Sequence, residues 1–161
     1  MSPCTKFAAG AALMLVALSG VSQAQATQTV TFAVQEINQI SASGSPSLTI
    51  STATAGSQPT QATATGHYAI TTNDSTRKIT IALDDTMPTD VTLKATLAAP
   101  AASGASAGAL TLTKVAQDAV TGITQVAESN LLISYTLDAL VTAGVVNSST
   151  RTVTLTIVAG P

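Results

Sequence analysis

The chain has 161 residues, 45% of them hydrophobic but only 9% charged and 2% aromatic, with one His, one Cys and no Trp. A net charge of −2 without clustered Lys or Arg supplies neither phosphate neutralisation nor stacking surface, so nucleic-acid binding is excluded as an expectation. The same scarcity of polar chemistry removes most of the equipment of an enzyme, and neither catalysis nor a cofactor is expected.

The N-terminus reads as an export signal. Lys6 supplies a positive start, residues 7–18 an apolar run, and Ala24-Gln25-Ala26 the small-x-small pattern of a cleavage site. Cleavage after Ala26 is expected, with an uncleaved anchor as the alternative; a spanning helix needs about 20 apolar residues, more than this run offers. Nothing later in the sequence is apolar enough to span a membrane as a helix. The expected location is therefore extracellular or at the cell surface, with the periplasm also compatible. Cys4 precedes the apolar run, is not placed like a lipoprotein cysteine, and leaves with the signal.

Removing 26 residues leaves 135, with five bases against eight acids and no cysteine. About 135 residues suffice for one core without a disulfide staple. Residues 27–161 are read as a single domain. Thr makes up 27 of those residues, and β-branched side chains favour a pleated, half-exposed surface over a helix.

In chain order, alternation at period two marks the strands. Residues 29–40 carry Val30, Phe32 and Val34 on one face, and Leu48 with Ile50 form a second short run. Residues 51–65, with Gly56 and Pro59, read as a surface loop. Tyr68 and Ile70 mark a third strand, Asn73-Asp74-Ser75 a turn, and Ile79, Ile81 and Leu83 a fourth strand. Residues 84–90, with Pro88, form the next connection, followed by Val91, Leu93 and Leu97. A Pro/Gly/Ala/Ser loop covers 98–109, and Leu110 with Leu112 form another strand.

Residues 115–128 are ambiguous. Val120, Ile123 and Val126 recur every three residues around Gly122, which fits a short helical turn or a bulged edge strand. Ile133, Tyr135 and Leu137, a connection at 144–149, and the Thr/aliphatic run 151–158 complete the pattern. Eight strands with apolar and hydroxyl faces imply two packed sheets, an all-β, immunoglobulin-like antiparallel β-sandwich. A closed barrel is the alternative. The outer-membrane kind is disfavoured, because Tyr68, Tyr135 and Phe32 cannot build aromatic girdles.

Thr29-Val30-Thr31-Phe32, residues 70–73, Met87-Pro88, Ala99-Pro100, Gly122-Ile123, residues 126–129, Tyr135-Thr136-Leu137 and residues 150–157 together resemble a group of small secreted Thr-rich bacterial proteins, mostly uncharacterised. The resemblance implies an exported β-sandwich and transfers no site residue. In style alone the chain is similar to pilin-like, fibre-forming subunits.

Few residues are candidates for chemistry. His67 alternates with Tyr68 and is expected to face solvent, without a recognisable nucleophile and orienting acid. Asp84, Asp85 and Asp90 are a weak calcium candidate, lacking the EF-hand spacing, and a solvated acidic hairpin is the plainer reading. Lys94 or Lys114 could in principle donate an isopeptide bond to an Asn beside a buried acid, at a high cost in buried charge.

Two functions stay open. The first is a secreted structural or adhesive surface protein, a filament subunit whose residues 29–40 complete a neighbour's sheet through Val30, Phe32 and Val34. Its partners would be other copies of itself or other surface components. The alternative is a monomeric binding module that recognises a glycan or a protein through its loops; the shortage of stacking aromatics counts against a glycan. The same N-terminal residues could equally pair within their own sandwich as an ordinary first strand.

Overall fold

The computed structural model describes residues 24–160. The chain divides into two units, residues 1–33 and 34–161. In the first, residues 24–33 form no strand; of the expected export signal only the cleavage-site residues 24–26 are described, and Cys4 lies outside the described residues.

The second unit is all-β, with two antiparallel sheets of nine strands stacked as a sandwich. The strands are β1 (Asn38–Ser43), β2 (Ala62–Thr72), β3 (Arg77–Leu83), β4 (Val91–Leu97), β5 (Ala105–Ser106), β6 (Leu110–Thr111), β7 (Gln117–Ile123), β8 (Val126–Ala139) and β9 (Val153–Ala159). One sheet runs β1-β2-β8-β4-β6 and the other β5-β7-β3-β9. A single 3₁₀ turn, Val141–Ala143, follows β8. Among the described residues no helix is long and apolar enough to cross a membrane.

Period-two patterning decides which faces meet. Ile79, Ile81 and Leu83 of β3 are buried, as are Leu93, Ala95 and Leu97 of β4, with intervening Thr and Lys residues turned outward. Tyr68 and Ile70 of β2 and Leu131, Ile133 and Tyr135 of β8 complete the inner face of the larger sheet. Small residues make room for the Tyr135 ring: Ala64 and Ala95 flank it in register. At Gly66 an added Cβ would lie 3.6 Å from that ring and 3.3 Å from the Ser43 carbonyl oxygen.

Bulges explain the ambiguous segment. Between β3 and β7 the register steps from Arg77↔Ile123 to Ile79↔Val120 and then from Thr80 to Asp118, so β7 twice spends an extra residue. Gly122 takes a φ of +69°, the left-handed conformation that glycine adopts without steric cost. The three-residue spacing of Val120, Ile123 and Val126 is therefore a bulged strand crossing to the other sheet, with no helical turn. A further bulge in β8, where Asn130 has φ +61°, shifts the buried phase from Val126 to Leu131.

The structure corrects four expectations. Residues 29–37 are not part of a strand: β1 begins at Asn38, so the expected run 29–40 overlaps it only at its end. Leu48 and Ile50 keep their alternating burial, but residues 46–51 pair with no neighbouring strand, because alternation marks a face and does not supply a partner. The count is nine instead of eight, since this run drops out while β5 and β7 are added. The loop expected over 51–65 also ends sooner, as β2 starts at Ala62.

Candidate functional site

The two ends of the sandwich differ in how their connections are held. At one end, the turn after β2 and the turn before β8 cross between the sheets side by side, with the Gln125 N–H donating to the Asp74 carbonyl at 2.9 Å. Asn73 clasps the chain just before β1. Its Oδ1 accepts from the Ile37 N–H at 2.8 Å, its Nδ2 donates to the Gln35 carbonyl at 2.8 Å, and its own N–H reaches the Ile37 carbonyl at 3.2 Å. The Arg77 guanidinium bridges Glu36 and Asp74. The Ser75 N–H, and then Arg77, hold the Asp74 carboxyl below its ordinary value. Residues 34–36, 73–75 and 125 leave only a shallow, open depression of about 290 Å³ here.

At the opposite end lies a groove of about 910 Å³ between the loops 46–53 and 139–151. Its floor is aliphatic, with Leu93 and Leu137 from the larger sheet, Val153 from β9, and Leu48, Ile50 and Met87 from the loops. Ser and Thr residues of the same loops form its rim, and Arg151 is its only charged lining residue. Leu140, Val141 and Val146 on its border are exposed.

Tyr135 also lines this groove although it is only 7% exposed. Burial raises its pKa, and its hydroxyl makes no hydrogen bond among the described residues. The other tyrosine differs. Tyr68 donates its hydroxyl to the Ala98 carbonyl, and burial, helped by the charge on Glu128, pushes its pKa up to about 12.

Arg151 is anchored by main-chain carbonyls, its Nε donating to Thr86 at 3.0 Å and an Nη to Thr150 at 2.8 Å. A guanidinium has five N–H donors, so three remain for a ligand. Among the described residues it forms no ion pair; the nearby Asp85 feels its charge but bonds to Lys114 at 3.4 Å.

The edges of the sheets form a third feature. β9 hydrogen-bonds only to β3; its other side lies beside β1 of the larger sheet with no backbone hydrogen bond between them among the described residues. Its sequence, Val-Thr-Leu-Thr-Ile-Val-Ala, contains no charge and no Pro, the devices that normally block edge association. By contrast, β1 is polar at its free edge and is fixed to β2 over six register pairs.

The sequence candidates fall as follows. His67 is half-buried on the outer side of β2, between Ser43 and Leu132 in register, while Tyr68 beside it is buried. No side-chain hydrogen bond joins it to Ser43 among the described residues. Asp84, Asp85 and Asp90 are not gathered as a ligand set. Asp84 accepts from the Asp85 N–H at 2.9 Å, Asp85 from the Thr86 N–H at 2.8 Å, and Asp90 from the Thr142 hydroxyl at 2.6 Å. Among the described residues no three His, Cys, Asp or Glu side chains are grouped to hold a metal ion. Lys94 lies 3.0 Å from Asp138 and Lys114 pairs with Asp85, so each ammonium group faces a partly exposed carboxylate.

Val30, Phe32 and Val34 are exposed. The sequence placed Asn73 in a turn but not as a clasp, and neither the groove nor the unpaired edge of β9 was singled out from it. Only the charge-free alternation of residues 152–158 hinted at the last. Comparison with known proteins finds no matching family model, no matching curated protein and no matching solved structure.

Proposed function

We propose that this is an exported, non-enzymatic structural or adhesive surface protein with an immunoglobulin-like sandwich, a subunit that assembles by strand addition. The observation that carries the reading is the uncharged, Pro-free and unpaired edge of β9. Such an edge accepts an incoming strand through main-chain hydrogen bonds, and its alternate side chains set the register. Residues 29–34 are the donor. They carry Val30, Phe32 and Val34 at period two, whereas residues 38–43 are committed to β2. A head-to-tail contact of this kind does not close on itself and yields a filament.

Size measurements on purified residues 27–161 test the reading. Polymers or rods are expected for the wild type by light scattering and electron microscopy. Deleting residues 27–34, or introducing Thr156→Lys at the exposed edge of β9, should leave a folded monomer. A compact wild-type monomer at high concentration would reject assembly and favour the second reading, a monomeric binding module, which the open-end groove supports.

A further inference from the structure

We propose that the groove at the open end is a binding site for a straight-chain aliphatic carboxylate. Its floor offers partly exposed side chains that gain from covering with hydrocarbon: Leu48, Ile50, Leu137 and Val153. Its volume of about 910 Å³ lies within the range of about 300–1,000 Å³ that small-molecule sites occupy. Two polar groups select the head of the ligand. Arg151 is the single charge on the lining, is pinned by two carbonyls and keeps free donors. Tyr135 is more than nine-tenths buried, yet brings an unpartnered hydroxyl to the same lining.

The Tyr135 hydroxyl has no protein partner among the described residues, and a carboxylate oxygen accepts from it directly. A guanidinium binds the same group by charge-assisted hydrogen bonds. One anionic head with an unbranched apolar tail satisfies both polar groups and the floor together. The other occupants fit less well. A sugar has no exposed ring on which to stack, since Tyr135 is the only aromatic in the lining. Residues 29–34 of a second copy contain no acid to meet the free donors of Arg151. The site is independent of strand addition, because of β9 only Val153 touches it.

Isothermal titration of the purified protein with dodecanoate, below its micelle concentration, tests the proposal against dodecyltrimethylammonium, which has the same tail and the opposite charge. Saturable binding of dodecanoate alone is expected. Arg151→Gln should weaken it at least about tenfold and Tyr135→Phe about threefold. If circular dichroism shows Arg151→Gln unfolded, Arg151→Lys replaces it, with a smaller loss expected because the charge is kept but the fork is not. Equal binding of both amphiphiles, no binding of dodecanoate, or undiminished binding by the Arg151 variant would overturn the assignment. So would displacement of dodecanoate by a synthetic peptide of residues 27–37, which would give the groove to a second copy.

Discussion

The two ends of this sandwich are built from similar loops but treat their polar groups in opposite ways. At the clasped end, Asn73, Asp74, Arg77 and Glu36 bond chiefly to one another and to the chain before β1, with only the Arg77 Nε among these groups buried without a partner. At the open end, Arg151 and Tyr135 retain unused donors beside an aliphatic floor. The difference separates polar residues that hold a fold from those that are free to meet something else. The tyrosines make the same point within the core: Tyr68 is tied to a carbonyl and Tyr135 is not.

The largest effect should come from truncating those rings. Tyr68→Ala is expected to destabilise by about 4–5 kcal/mol and Tyr135→Ala by about 3 kcal/mol, measured by urea unfolding. The second loss is smaller because the ring already borders an open groove, into which the cavity can merge. Equal losses would mean that the groove is closed in solution. Removing only the hydroxyls sharpens the contrast. Tyr68→Phe should cost about 1–2 kcal/mol by orphaning the Ala98 carbonyl, and Tyr135→Phe less than about 0.5 kcal/mol.

At the clasped end, Asn73→Ala removes two side-chain hydrogen bonds to the chain before β1. A loss of about 1–2 kcal/mol is expected, with faster amide exchange at Ile37. If exchange at Ile37 stays as slow as in the wild type, the clasp does not hold β1 in place.

Acid and alkali provide the mildest tests. Asp74 and Asp85 have lowered pKa values in the folded chain, the first chiefly through the Ser75 N–H and the second through the Thr86 N–H. Their contribution is complete above the ordinary value of 3.8 and is lost as pH falls through the folded values. Both are solvent-exposed, so a small decline in the urea midpoint is expected below about pH 4. Asn at position 74 or 85 should reduce it. Tyr68 acts in the opposite direction: its raised pKa contributes stability that is complete below 10.0 and lost as pH rises toward about 12. Tyr68→Phe should flatten that alkaline decline.

The chemistry of single residues made several features legible without a structure. Alternation in residues 79–83, 91–97 and 151–158 sufficed to place strands and their buried faces, because a pleated backbone sends successive side chains to opposite sides. The same rule overreached at Val30 to Val34 and at Leu48 to Ile50, where apolar alternation is present without a partner strand. Residues 115–128 obscured their strand because bulges at Gly122 and near Ala119 break the period.

By itself the sequence determined an all-β chain with a small aliphatic core and few charges, since composition and period act locally along the backbone. Only the tertiary structure decided that β9 stands at an edge and that Asn73 grips residues 35–37. It alone brought Tyr135 and Arg151 to one groove. These are relations between residues 16 to 38 positions apart, or between a strand and the strands that do or do not pair with it. No local pattern encodes them, because pairing and enclosure depend on where the other strands have gone.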